Sequence, residues 1–541
     1  MKNHKILQYY HTLKYLKPKQ IVGRVWGEQK RKYGLYSLSD FPDSLSGGLF
    51  PKTKFIYHEP WNNPGKVERG VFQFLNREVD LGQQIEWKPN DESLLWRFNL
   101  HYFNYLPLLT PDKQKKVSLD WIRENQNDHS VGMHPYPTSL RIVNWCKSGI
   151  QHEAIEKSLY QQTAFLSRNT EFFHPGNHYL ENARALIFAG IYFNGVGESA
   201  HWLAQGFDIY RRELPVQVLP DGGYFERSIM YHALVLAGIL DIINISSQES
   251  EISEFFHPYA QKMADFLFSL THPDGTLSLY NDTTVEITPS TESILNYAHS
   301  VAGITPGFQT TFSDTGYYVY KDENIYLTID GGSIGPDYLP AHSHADIFSY
   351  QVSLRDRQFI VDSGVFGYES NEMRDYVRST RAHNTVCVDK RDQAEMWCSF
   401  RVARRFKPYD VQYHQNDKTT KFSGKFGGYA KLIGDGIIHT RKITIKDERV
   451  SIEDEITGSG EHLVESLIHL HPKVSLQRTS NGVLLQRDDI LCNLEYNGIG
   501  FGIERGWYCP EFGKKIPNKV LVFHNNGSAL PIRIKYSLKL L

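Results

Sequence analysis

The chain has 541 residues, with 59 Lys or Arg against 61 Asp or Glu. This length exceeds what one compact core normally serves, so we expect two or three domains. The balance of charge argues against a nucleic-acid binder that depends on a broad basic face, although a few arginines in a cleft would suffice for a small acidic ligand.

The cysteines and the first residues bear on the compartment. The five cysteines are scattered and contain no CxxC pair, which indicates neither a disulfide framework nor a thiolate zinc site. The start of the chain lacks the apolar core and small-residue cleavage site of a secretory signal. No apolar run is long enough to span a bilayer. We therefore expect a cytoplasmic protein without a membrane span, or a periplasmic one if the N-terminus has been trimmed.

The first 300 residues have mainly helical patterns. Residues 1–90 predict one helix followed by proline-rich and aromatic extended segments. Apolar residues then recur at helical spacing, separated by Gly, Pro and Asn, in segments 94–109, 116–128, 138–155, 158–173, 179–193, 199–214, 230–246 and 259–271. Successive helices with short connections predict an array of helical hairpins.

The pattern changes near residue 310 to short alternating runs such as HTRKITIKDERVSIEDEIT, which predict antiparallel strands of a sandwich-like domain. The fold class expected is therefore α+β and multidomain. We place the domains at 1–90, 91–305 and 306–541, with a cleft between helices and strands as the default ligand site.

Unusual polar residues interrupt the helical half. Asn177 and His178 precede a helix with Glu181 in its first turn, and capping by Asn177 would explain the asparagine but not the histidine. Tyr231 lies in the early turns of a strongly apolar helix, where a half-buried tyrosine with a paired hydroxyl is the plain structural alternative. Asn281 and Asp282, in LYNDTT, have the composition of a turn.

The β half adds a histidine pair, His342 and His344, in PAHSHADIFSYQVSL. Residues two apart on an extended backbone point the same way, so the two rings should face one common space if the segment is extended. Packing of a strand end and a metal or catalytic site are both open explanations. Asp362 ends an apolar run and requires a partner.

Two histidines and an aspartate with an open fourth position make a plausible zinc set. The spacing supports it weakly, because a simple hairpin through RDRQ would place Asp362 opposite roughly residue 350. His344 would then lie on the order of 20 Å farther along the strand. The chain must bend around residues 344–346 for the site to close.

Taken together, four segments resemble the heparinase II/III-like polysaccharide lyases, a family that is related to alginate and chondroitin lyases. They are GNHYLENARAL, DGGYFERSIMYH, HSHADIFSYQVSLRDRQFIVDSGVFGY and the RxYxRSTRAHNTV run, and they follow the family's order over roughly residues 90–390. The resemblance implies an incomplete (α/α) toroid followed by an antiparallel β-sandwich domain. It also implies β-elimination on a uronic-acid-containing polysaccharide.

The resemblance further implies roles for single residues. Asn177, assisted by His342, would neutralise the uronate carboxylate. Tyr231 would be the general acid and for some substrates also the base, with His178 as the alternative base. Further candidates for substrate binding are Glu181, Arg227, Tyr368 and Arg378. One structural zinc per chain would be held by His344, Asp362 and His383.

Other functions stay open from the sequence. The lead YHTLKYLKPKQIVGRVW looks like that of members associated with bacterial capsule or exopolysaccharide synthesis. A glycoside hydrolase or a uronate epimerase on the same scaffold is one alternative, and a noncatalytic glycan-binding or assembly factor is another. We expect an acidic polysaccharide as the partner and no nucleic acid, and the sequence gives no indication of the oligomeric state.

Overall fold

The structure is a computed structural model that describes residues 2–33, 42, 45, 47–125, 131–247, 250–480, 482–496, 498–525 and 527–541. Positions 34–41 of the predicted extended lead and 126–128 of the predicted helix 116–128 lie outside these residues. Within the described part of the chain, no helix combines the length and apolarity needed to cross a membrane.

The N-terminal segment contains more helix than the sequence predicts. Two helices, α1 (Lys2–Leu13) and α2 (Pro18–Tyr33), replace the single one expected. Pro18 separates them, since proline lacks the N–H of a helix interior but fits a first turn. A short helix α3 (Pro64–Val67) and a hairpin of β1 (Val71–Phe74) and β2 (Arg77–Asp80) follow.

The helical half is a two-layered array. Helices α4, α6, α8, α10 and α12 pack successively against one another, and α5, α7, α9 and α11 lie outside them. Helix α10 is apolar on almost all sides, as an inner helix must be. The bounds are α4 (Leu94–Tyr102), α5 (Pro111–Asn125), α6 (Pro135–Ser148), α7 (Glu153–Arg168), α8 (Asn177–Tyr192), α9 (Ser199–Gln217), α10 (Ile229–Ile245), α11 (Glu251–Ser269) and α12 (Thr291–Ala302).

A five-stranded antiparallel sheet lies against this array. Its strands are β3 (Thr311–Phe312), β4 (Tyr317–Lys321), β5 (Ile325–Asp330), β6 (Tyr350–Leu354) and β7 (Arg357–Ile360). Strands β5 and β6 are buried throughout, because both faces are covered. The Tyr326 hydroxyl donates to the Ser269 carbonyl of α11 (2.7 Å), whereas Tyr350 meets Tyr536 of a second sheet at 3.3 Å.

The remaining chain completes the β half. A short helix α13 (Glu372–Arg378) precedes β8, and α14 (Gly428–Leu432) follows β12. The strands form an eight-stranded sheet in the order β11-β12-β13-β14-β21-β18-β17-β16, a four-stranded sheet β19-β20-β15-β8, and the pair β9–β10. Strands β13 and β14 alternate between buried and solvent-facing residues, as half-covered strands do. The predicted α+β fold, with a helical toroid followed by antiparallel sheets, is confirmed.

The bounds of strands β8 to β21 are β8 (Val386–Val388), β9 (Met396–Trp397), β10 (Arg401–Val402), β11 (Tyr409–Gln415), β12 (Thr420–Phe426), β13 (Ile438–Lys446), β14 (Arg449–Thr457), β15 (Val464–His469), β16 (Ser475–Thr479), β17 (Gly482–Arg487), β18 (Ile490–Tyr496), β19 (Gly500–Tyr508), β20 (Ile516–His524) and β21 (Ile532–Leu540).

Candidate active site

A cavity of about 1090 Å³ lies between the inner helices and the β half. Its wall brings together residues from separate stretches of the helical half and the β half. They include Tyr136, Asn177, His178, Glu226, Tyr231 and His342. All four predicted catalytic residues are among them, although they are up to 165 positions apart in the sequence. The cleft expected between helices and strands is therefore present.

Asn177 opens helix α8 but does not cap it, so the structural explanation offered by the sequence is wrong. The N-cap is Gly176, and the Asn177 side chain instead donates to the Tyr136 hydroxyl at 3.5 Å. A Cβ on Gly176 would lie 2.7 Å from Glu226 Oε1, so a larger residue would require the Glu226 carboxyl group to shift. The backbone N–H of Asn177 donates to the same carboxyl oxygen at 3.4 Å. The amide of Asn177 thus faces the cavity.

His178 lies beside Asn177 with a third of its side chain exposed. Its ring stacks on Tyr136 with centroids 4.0 Å apart, and Nδ1 lies 3.1 Å from Glu171 Oε1. Burial opposes a charge on the ring, but the Glu171 carboxylate outweighs it and raises the pKa of His178. The Nε2 atom remains available to the cavity.

Tyr231 is placed by the first turn of α10, where the Ser228 hydroxyl accepts from the Tyr231 N–H at 3.2 Å. Its ring centroid lies 4.1 Å from that of His342, and its hydroxyl lies 3.0 Å from the Tyr368 hydroxyl. Burial and then Tyr368 raise the pKa of Tyr231 well above its usual value. The phenol is therefore neutral and can donate a proton.

Glu226, in the DGGYFERSIMYH segment, is part of the same wall. It is 2% exposed, and its Oε2 lies 3.6 Å from His342 Nε2. Burial raises the pKa of this carboxyl group. Tyr224 donates to its other oxygen at 3.2 Å. A protonated Glu226 would be a further neutral donor beside Asn177.

Asp282 is a functional position that sequence reasoning treats only as a turn former. It is fully buried, and Arg374 donates to both of its oxygens at 2.5 and 2.8 Å. His342 Nδ1 and His344 Nε2 lie 2.9 Å from Oδ2 and Oδ1. Burial acts to raise the pKa of Asp282, but Arg374 and the two histidines hold it well below its usual range. The segment that carries the histidines is not a strand, yet their rings do face one common group.

His342 and His344 differ in what their second ring nitrogens meet. Because ionised Asp282 only accepts hydrogen bonds, each ring donates its bonded N–H to it. His342 thereby directs Nε2 into the cavity, whereas His344 directs Nδ1 into the protein. That Nδ1 atom is buried and has no hydrogen-bond partner.

His344, Asp362 and His383 form a buried cluster, and one potential ligand atom of each lies within 4.8 Å of the others. The hairpin geometry that would separate them does not hold, because strand β6 begins only at Tyr350 and the chain turns at Phe348, which has a φ of 67°. His383 Nδ1 lies 2.8 Å from Asp362 Oδ2, and its Nε2 is also buried without a partner.

These donors fit a metal ion. Two imidazoles and a carboxylate are ligand types that zinc prefers. The buried Nδ1 of His344 and Nε2 of His383 each carry a lone pair that has no hydrogen-bond partner among the described residues. The contact from His344 Nε2 to Asp282 matches the outer carboxylate that commonly orients a metal-bound histidine.

Two of the four predicted substrate-binding residues are not on the wall of the cavity. Arg227 donates to the carbonyls of Thr315 and Ser333 at 2.6 and 2.9 Å, and therefore joins α10 to the β half. Arg378 is 1% exposed, and its guanidinium donates to the carbonyls of Ser343 and Cys398. Neither guanidinium group lines the cavity, because each donates to backbone carbonyls inside the protein.

The other two are on the wall. Tyr368 is there, hydrogen-bonded to Tyr231. Glu181 is there also, but Arg184 donates to its oxygens at 3.0 and 3.3 Å, so its charge is already neutralised.

Comparison with known proteins agrees with the fold and the segments. The model of the heparinase II/III N-terminus matches residues 154–306, and that of the heparinase II/III-like C-terminal region matches residues 306–537. Heparin-sulfate lyase from Pedobacter heparinus is 26% identical over 261 residues, 43% of this chain and 39% of that protein. Heparin-sulfate lyase from Bacteroides stercoris is 28% identical over 248 residues, 41% of this chain and 37% of that protein.

The alignments thus span about two-fifths of the length of the curated relatives. Among solved structures, that of heparinase III superimposes with a TM-score of 0.68 and 16% identity, covering 97% of this chain and 94% of that one. At this identity the superposition shows a shared fold. The two family models together run without a gap from the outer helix α7 to the last strand. The chain belongs to the heparinase II/III-like family.

Proposed function

We propose that the protein is a polysaccharide lyase that cleaves a uronic-acid-containing polysaccharide by β-elimination. One observation carries the proposal: a neutral phenol (Tyr231), a histidine paired with a carboxylate (His178), a neutral amide donor (Asn177) and a carboxyl group whose pKa is raised by burial (Glu226) face one cavity. The heparin-sulfate lyases among its relatives point to the same class of reaction.

The donors suit a uronate carboxylate. Removal of the proton at C5 places negative charge on the adjacent carboxylate, and donors to that group stabilise the developing enolate. The Asn177 amide and a protonated Glu226 carboxyl would each donate a hydrogen bond without adding a charge. His342 would donate through Nε2 when its ring is protonated, with Asp282 compensating the charge.

The proton transfers divide between two residues. His178, once neutral, takes the C5 proton through Nε2, the electron pair forms the C4–C5 double bond, and the C4–O bond breaks. Tyr231 donates its phenol proton to the leaving oxygen. The high pKa of Tyr231 favours this role over that of the base, for which a lowered pKa would be needed.

We propose further that His344, Asp362 and His383 hold one structural zinc ion. When bound, it would link the chain before β6, the end of β7 and the chain before β8, and so fix the segment that carries His342. Because the ligands come from separate segments, the binding energy would add to folding stability.

A panel of acidic polysaccharides tests the reaction. Heparan sulfate, chondroitin sulfate, polygalacturonate and polymannuronate would each be incubated with the protein. Ultraviolet absorbance of the unsaturated uronate and new reducing ends would be read together. Both signals are expected. Reducing ends without absorbance would indicate a hydrolase, and neither signal on any polymer would contradict the proposal.

A further inference from the structure

The helices α1 and α2 form one side of the cavity. Trp397 of β9 donates its indole N–H to Thr12 Oγ1 at 3.1 Å, and its ring lies 5.1 Å from that of Tyr9. On the toroid side, Gly23 packs so closely on Phe173 that a Cβ would lie 2.5 Å from it. The pair of helices therefore bridges both halves of the protein, and Arg24, next to Gly23, lines the cavity.

Most cations on this wall already have anionic partners. Lys147 contacts Asp241 at 2.6 Å, Arg184 contacts Glu181 at 3.0 Å and Arg405 contacts Asp337 at 3.4 Å. Among the Lys and Arg side chains that the structure describes on the wall, Arg24 and Arg401 are those with no described carboxylate in salt-bridge reach. Their charges are therefore free to meet a ligand.

The two arginines lie on the same wall of the cavity. Burial and then the charge of Arg401 lower the pKa of Arg24. Arg401 lies over the Trp397 ring, 4.9 Å from its centroid, a contact that orients a guanidinium without neutralising it. Two neighbouring positive charges beside a cavity are stabilised when an anion binds to both.

Each arginine lies near residues that contact the proposed catalytic side chains. Phe400, adjacent to Arg401, has its ring 5.2 Å from Tyr368 and 6.2 Å from His342. On the other side, the charge of Arg24 acts on His174, whose ring lies 6.2 Å from that of His178. If a polysaccharide places one sugar at His178, a nearby sugar of the same polymer would therefore lie next to the two arginines.

We propose that Arg24 and Arg401 form a second anion subsite, which binds an oxyanion on a sugar near the one that is cleaved. The oxyanion is a carboxylate or a sulfate ester, since guanidinium groups bind both through paired hydrogen bonds. This inference rests on the proposed function for the path of the chain. It gives the N-terminal helices a role in substrate binding.

The test compares Arg24→Gln and Arg401→Gln with a matched control, Arg505→Gln. Arg505 also lies over a tryptophan, 4.8 Å from the Trp507 centroid, but is not on this wall. Dissociation constants for the polymer panel would be measured by calorimetry at low ionic strength, with KM and kcat for any polymer that is cleaved. We expect each cleft variant to weaken binding about tenfold, the scale of one charge-assisted hydrogen bond, and to raise KM with kcat nearly unchanged.

Two further comparisons identify the group that binds. Removing sulfate from a sulfated polymer would abolish the effect of the variants if the ligand is a sulfate ester, and would leave it intact if the ligand is a carboxylate. Cleft variants that bind every polymer as tightly as Arg505→Gln would overturn the subsite, and so would a wild-type protein that binds none. Binding that depends on the arginines, without unsaturated product, would keep the subsite and contradict the lyase.

Discussion

His342 and His344 point at opposite oxygens of one buried carboxylate, Asp282, at 2.9 Å each. The same carboxylate forms a salt bridge with Arg374. The cavity and the metal cluster therefore share a single anion, which sets the hydrogen-bonding state of both rings. A substitution of Asp282 should therefore affect both the cavity and the metal cluster.

Asp282→Asn would leave the buried charge of Arg374 uncompensated. We expect the free energy of unfolding in urea to fall by about 3–5 kcal/mol, as for breaking a buried ion pair. We also expect kcat to fall at temperatures where the variant is folded. The matched control is Asp454→Asn, because buried Asp454 accepts from His439 and from two nitrogens of Arg441 but does not line the cavity. Equal kcat losses in the two variants would show that Asp282 acts on stability alone.

Tyr231→Phe tests the proton donor. Removing the hydroxyl should cost about 0.5–1.5 kcal/mol of stability, the value of one hydrogen bond, because the ring stays packed. Turnover should fall about a hundredfold or more, the usual scale for a general acid. Tyr368→Phe removes the same 3.0 Å contact from the other side and is the control. A Tyr231→Phe enzyme as active as Tyr368→Phe would refute the assignment.

The sequence predicts the fold well where local signals are strong. Helical spacing in α6 to α10 and alternation in β13 and β14 need only the residues of each element. It fails for α12 over 291–302 and for α2, where Pro18 begins a second helix within the segment that predicts only one.

The site divides in the same way. Motif-bearing residues such as Asn177, Tyr231 and His342 meet at the cavity as predicted. Asp282 was missed because its partners are 60, 62 and 92 positions away, and no local pattern distinguishes a buried anion from a turn former. Arg227 shows the converse: an arginine in a conspicuous motif donates to carbonyls inside the fold rather than lining the cavity.

The acidic limb of the pH profile tests His178. Glu171 raises the pKa of His178, and a base must be neutral, so kcat/KM should increase with pH through a pKa above the ordinary 6.5. Glu171→Gln removes the stabilising charge and should move this limb to lower pH. Asp208→Asn, an exposed change on α9, is the control and should leave the limb in place. A limb unmoved by Glu171→Gln would exclude His178 as the base.

Asn177→Ala tests the carboxylate contact. The amide would touch the substrate carboxylate both before and during proton removal, so its loss should raise KM and lower kcat together. Each effect should be about tenfold, the scale of a hydrogen bond to a charged group. Asn144→Ala is the control, because it also removes an amide from the wall, but one that donates to the Tyr102 carbonyl at 2.8 Å. A loss of kcat without any change in KM would place Asn177 outside substrate binding.

The metal cluster yields the last prediction. Purified protein never exposed to chelator should carry about one zinc per chain by elemental analysis, and both His344→Ala and Asp362→Ala should lose it. Metal loss should lower Tm, since the ligands come from separate segments and binding energy contributes to folding. His272→Ala is the control, because buried His272 does not belong to the cluster and its Nδ1 lies 2.8 Å from Ser353 Oγ. This variant should lose stability but keep the metal. Metal-free protein with an unchanged Tm but no turnover would instead assign the ion to catalysis, and absence of any transition metal would refute the site.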